Sequence, residues 1–183
     1  WELWAGFRGL SVTNHLLESL LMSFEKFLLE LAARGTDVSK KNVKFIFDYV
    51  LKNSNNIAPL AVLTSVAIAY PEVIEEAMLP LLSVREFYDW DLSRALNENS
   101  TLSFKDYDIP FAQKERWESN QLQHRKKYPH GLRDFIVDYQ FNVRKLNQQI
   151  HKVFDKLHTK SNNGDFIGKK LLNEIDIRKW EVR

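Results

Sequence analysis

Leu132, Ile136, Tyr139, Val143, Leu146, Ile150, Val153 and Leu157 follow one another at intervals of four and three residues, without a miss over 26 residues. That 3.5-residue repeat is the signature of a helix laying one apolar seam against a partner helix. The spacing predicts one long helix over about 130–158, opened by Pro129. No reactive side chain interrupts the seam, so it reads as a strut or recognition surface. Its expected partner is another helix of the same chain, such as Phe111–Lys127; another subunit or another part of a parent protein is the alternative.

The rest of the chain also reads as helix. Six glycines and five prolines in 183 residues leave little punctuation for a fold that needs a turn every ten residues or so. Leu16, Leu17, Leu20, Leu21, Phe24, Phe27, Leu28 and Leu31 mark a first helix, capped by Ser11 or Thr13 and stopped by Gly35. Val43, Ile46, Phe47, Val50 and Leu51 mark a second, starting after Ser39. Ile57 to Tyr70 is apolar on every side, with Pro59 suited to its first turn, and predicts a buried central helix. Pro71 opens a fourth helix running to Pro80. Ser83 and Glu86 have the form of a capping box for a fifth, reaching about Leu96. Phe166 to Trp180 adds a last short one. The expected fold class is all-α: a multi-helix bundle or short α-solenoid-like stack. Its expected parts are an N-terminal lobe over 1–97, a loop over 98–110 and a C-terminal lobe over 111–183.

Composition narrows the chemistry. The chain has no cysteine, which removes disulfides, thiolate metal sites and cysteine nucleophiles together. Residue 1 is Trp and no charged-then-apolar leader follows, so a piece of a larger protein is expected. The longest apolar run is about half of what a membrane span needs, and a cytoplasmic location is expected. Charge is uneven: residues 1–113 carry 10 Lys/Arg against 15 Asp/Glu, while residues 114–160 carry 11 against 5.

The basic residues Arg125, Lys126, Lys127 and Arg133, with His124 and His130 around Pro129, form the main candidate patch. Beside Tyr128 they offer charge for phosphates and a ring for stacking, so a nucleic-acid-binding helical module is the alternative function. The competing reading is a set of cations at a helix C-terminus, where the dipole favours them. His151 and His158, about 10.5 Å apart along a helix, do not chelate one ion together, and no metal or cofactor is expected. Glu72, Glu75, Glu76, Glu86, Asp89 and Asp91 read as solvated helix ends rather than acid–base pairs. Gly164 to Lys170 fails as a phosphate loop, because three residues, not four, separate its glycines. The five tryptophans, Trp1, Trp4, Trp90, Trp117 and Trp180, read as buried indoles, with apolar surface exposed at Trp1 and Trp4, for a parent protein to cover, as the alternative. No catalytic residue is assigned.

Two stretches carry a family resemblance: Val66-Ala-Ile-Ala-Tyr-Pro-Glu-Val-Ile through Leu81-Leu-Ser-Val-Arg-Glu-Phe-Tyr-Asp-Trp-Asp-Leu-Ser-Arg94, and His130-Gly-Leu-Arg-Asp-Phe-Ile-Val-Asp-Tyr-Gln-Phe-Asn-Val-Arg-Lys-Leu-Asn147. Together they resemble the helical region after the nucleotide-binding core in large bacterial antiviral STAND ATPases of the AVAST type. In that family an N-terminal effector, often a nuclease, precedes the ATPase, and a C-terminal helical region senses a viral protein. The resemblance implies an internal connecting or sensing segment, with protein partners: other domains of the parent, a second copy, or a viral protein. It brings no active-site residue with it. The functional expectation is a non-catalytic helical interaction, linker or sensor segment.

Overall fold

A computed structural model describes residues 2–8, 15–101, 119–161 and 165–180. Among them the fold is all-α, a multi-helix bundle. The helices are α1 (Glu2–Ala5), α2 (His15–Ala33), α3 (Asp37–Asn53), α4 (Ile57–Ala69), α5 (Pro71–Ile74), α6 (Leu79–Leu82), α7 (Arg85–Thr101), α8 (Gln123–Lys127), α9 (Leu132–Asp138), α10 (Asn147–Lys160) and α11 (Phe166–Ile175). Short 3-10 turns at Gly6–Arg8, Glu75–Met78 and Ile177–Lys179 complete it.

The apolar helix is the hub, as its sequence predicts. Every residue of α4 from Ala61 to Ile68 is buried, and α1, α2, α3, α5, α8 and α9 all pack against it. Asn56 caps it by accepting from Ala58 N at 2.9 Å, which places Pro59 in the first turn. The cap of α3 lies three residues earlier than Ser39: Thr36 Oγ1 accepts from Ser39 N, so the helix begins at Asp37. Gly35 at φ +64° supplies the stop between α2 and α3, a conformation that costs glycine little. The capping box does not form. Ser83 Oγ donates instead to Pro80 O at 2.6 Å, closing the end of α6.

The predicted long helix is broken in two. After α9 the backbone widens into a π turn at Tyr139–Val143, and Arg144 takes a left-handed conformation at φ +62°. Side chains satisfy the groups that the break releases. Gln140 Nε2 donates to Ile136 O and Ile175 O at 2.9 and 2.7 Å, Asn147 Nδ2 to Gln140 O at 2.8 Å, and Arg144 Nε to Phe141 O at 2.6 Å. These bonds make the bend locally affordable. α10 then starts at Asn147.

One hydrophobic core runs from Trp4 and Phe7 through α2–α4 and α7 to Phe135, Phe154 and Ile175. The expected loop over 98–110 begins later, because α7 continues to Thr101; its remainder lies outside the described residues, as do Ser11, Thr13, Trp1 and Phe111. Trp4 is one of the buried indoles. It is fully buried, with Phe87 at 4.4 Å and Trp90 at 6.0 Å between ring centroids. No single helix among the described residues is long and apolar enough to cross a membrane.

Candidate functional site

The seam residues divide at the break. Leu132, Ile136, Tyr139, Leu146, Ile150 and Leu157 are buried and Val153 is half-buried, whereas Val143, on the π turn, is 49% exposed. α9 packs on α7, α4 and α11, and α10 on α6 and α11. The seam's partners among the described residues are therefore helices of its own chain. Two of its largest contributors, Phe135 and Phe154, lie one residue off the 4–3 ladder.

The basic cluster is not one surface. Arg125 turns inward, with its side chain 8% exposed, and pairs with Glu25 at 2.5 Å. Lys127 pairs with Asp138 at 2.8 Å and lies over the Tyr128 ring, and Tyr128 Oη donates to the same carboxylate at 2.6 Å. Arg133 bonds Asp89 and reaches Glu174 at 3.7 Å. His130 faces Asp134. Lys126 alone among the four candidate cations is exposed without a carboxylate partner among the described residues. His124 is pushed down to about 4 by burial and by the Arg125 charge, so it is neutral at physiological pH.

What the fold does assemble is a buried charge network. Three arginines, Arg8, Arg94 and Arg125, meet three carboxylates, Glu25, Asp91 and Glu98. Arg8 Nε lies 2.5 Å from Glu98 Oε1, and its other nitrogens donate to Ser119 Oγ at 2.6 Å and to Asn120 Oδ1. Arg94 bridges Asp91 at 2.7 Å and Glu98 at 2.8 Å, with the Phe7 ring at 5.7 Å from its guanidinium carbon. Asp91 also accepts from Trp4 Nε1 at 3.1 Å and from Leu132 N at 2.8 Å. This one carboxylate thus joins α1, α7 and the start of α9. Gly131, at φ +64°, makes room for it: a Cβ there would stand 2.9 Å from Asp91 Cγ.

The electrostatics are balanced. Burial would raise the Glu25 and Glu98 carboxyls, but Arg125 and Arg8 hold the first down and Arg94 and Arg8 the second, so both stay ionised. Burial and the nearby Arg125 charge lower Arg8 to about 10, which still leaves it charged. Burying such groups costs several kcal/mol each unless they are paired and hydrogen-bonded, and here they are.

Part of the network superficially resembles a hydrolytic set. Ser65 Oγ lies 2.5 Å from Glu25 Oε1 and 3.5 Å from His124 Nε2. The order is wrong for nucleophile activation. The carboxylate accepts the serine proton itself instead of orienting the far side of the imidazole, and Arg125 claims the same oxygen. The arrangement fixes helices α2, α4 and α8 to one another.

The remaining candidates also resolve. Asp91 is buried and Glu75 half-buried, so neither is a solvated helix end. Glu75, at φ +52°, binds both Lys44 and Lys145 at 2.5 Å or less, and those bonds draw its carboxyl down to about 2. Asp165, not a phosphate, caps α11 by accepting from Gly168 N at 2.9 Å and pairs with Arg85. No cluster of three metal-binding side chains occurs among the described residues. Comparison with family models, curated proteins and solved structures finds no match to this chain.

The network left a faint trace in the sequence. Glu25 sits between Leu21 and Leu28 on the buried stripe of α2, and Asp91, Arg94 and Glu98 follow at one-turn spacing on α7. A charge on an apolar stripe signals a buried partner.

Proposed function

We propose that this chain is a non-catalytic helical interaction module of a larger cytoplasmic protein, engaging other polypeptides through its outer helices. The observation that carries the reading is α2. Its inner stripe packs on α4, yet Leu20 and Phe27 on its outer flank stand exposed. Large apolar side chains repeated two turns apart on an exposed flank of a helix mark a surface that a partner ordinarily covers. The polar interior supports the same reading, because its ionised groups are committed to one another and serve to hold helices in place. The resemblance to the helical region of antiviral STAND ATPases supports a connecting or sensing segment within such a bacterial defence protein.

A photo-crosslinking amino acid at Leu20 or Phe27, in cells expressing the protein, tests the module reading. Adducts with a second polypeptide are expected, with none at the exposed control position Lys156 on α10. Equal labelling at Lys156, or none at α2, overturns it. A Gly-x4-Gly-Lys-Ser/Thr loop on the same polypeptide is expected for the ATPase assignment, and a complete parent sequence without one removes it.

A further inference from the structure

The outward face of α3 is both apolar and charge-patterned. Val38, Phe45 and Tyr49 are 69%, 69% and 60% exposed, and the two rings stack with centroids 6.4 Å apart. At 100° per residue these three lie within a narrow stripe, and Lys41, Asp48, Lys52 and Asp37 run along one flank of it. All four flanking charges are exposed and pair with no opposite charge among the described residues. Lys41 and Asp48 are seven residues, about 10.5 Å, apart along the axis, so they do not pair within one helix.

We propose that this face binds a second copy of itself, antiparallel, about a two-fold axis passing near Phe45. A two-fold contact sets each residue against a position mirrored along the helix. With the axis midway between Lys44 and Phe45, Lys41 falls opposite Asp48 of the other copy and Asp37 opposite Lys52. The aromatic stripe lies between them, Phe45 on Phe45 and Val38 near Tyr49. Opposite charges meet at all four flanking positions and no like charges do. A face suited to an acidic or basic partner would carry one sign; this one alternates, which is the complementarity a helix has with its own reversed copy. The proposal rests on the interaction-module reading but uses a different surface, so a chain that stays monomeric leaves the α2 result standing.

A single helix of 17 residues offers a contact at the small end of specific interfaces, so association is expected only at high concentration, on the order of 100 µM. The test is sedimentation velocity on the whole chain across a hundredfold concentration range at low salt. Wild type should shift from monomer toward dimer, and Phe45→Asp should weaken association at least tenfold. Lys41→Glu and Asp48→Lys should each weaken it about fivefold. The double variant should return close to wild type, because the pair re-forms with its signs exchanged. All three positions are exposed, so circular dichroism should be unchanged. A monomer at every concentration, a dimer indifferent to Phe45→Asp, or a double variant no better than the singles overturns the proposal. So does a monomer that uses Phe45 to bind an oligonucleotide or another protein.

Discussion

Asp91 is the place to test whether the buried network holds the fold. Asp91→Ala removes the acceptor of Trp4 Nε1 and Leu132 N and one of the two carboxylates on Arg94. Arg94 keeps Glu98 at 2.8 Å, so its charge is not wholly abandoned, and the lower end of the 3–5 kcal/mol cost of a broken buried pair applies. The two orphaned N–H groups add about 1 kcal/mol or more each, so the total is about 5 kcal/mol. Against a typical stability of about 5–15 kcal/mol, that is a large fraction. For a chain of this length it corresponds to a fall in melting temperature of roughly 10–20 °C. Urea unfolding followed by tryptophan fluorescence measures it, with Asp91→Asn as the milder variant should the alanine protein not accumulate. Arg94→Met in the Asp91→Ala background should cost less than the two single losses combined, by about 2 kcal/mol. A loss under about 1 kcal/mol for Asp91→Ala, or strict additivity with Arg94→Met, would refute the claim that these charges act as one unit.

Three further outcomes are expected. Gly131→Ala should cost several kcal/mol, because a Cβ collides with Asp91 at a positive φ. Gly35→Ala, at the same φ with open space around it, should cost only about 1 kcal/mol in the same denaturation assay. Leu146→Asp buries a charge in the seam and should cost several kcal/mol or prevent folding, whereas Val143→Asp, on the exposed π turn, should stay within about 0.5 kcal/mol by thermal melt. Buried His124 takes up a proton only near pH 4, against 6.5 unfolded. Between those values the unfolded chain binds the extra proton, so stability is complete above pH 6.5 and falls by up to about 3 kcal/mol toward pH 4. His124→Gln should flatten the urea midpoint between pH 7 and 4.5, and an identical decline in both proteins would contradict the assignment.

Helix content and the central position of α4 were legible because apolar spacing reports burial directly. The break at Arg144 was not. A left-handed residue is announced by glycine or asparagine, and here an arginine adopts that conformation, held by bonds from Gln140 and Asn147 that no local pattern displays. The 4–3 ladder also runs through the break without a slip, because six of its eight residues are buried on either side of it while Val143 turns out to solvent. How the basic cluster divides was hidden for a related reason. Arg125 and Lys127 point to different sides of a short helix and Arg133 lies on the next one, and these three find carboxylates, Glu25, Asp138 and Asp89, on three separate elements, while Lys126 stays exposed.

The span of the network has a consequence for biogenesis. Trp4 and Arg8 are synthesised 87 to 112 residues ahead of their partners Asp91, Glu98, Ser119 and Asn120. At about 5–20 residues per second of synthesis, an indole and a guanidinium destined for the interior wait several seconds for their pocket to be made. Trp4 and Arg8 thus stay open until the later half of the network has been made, and in that interval they are exposed to capture by a chaperone.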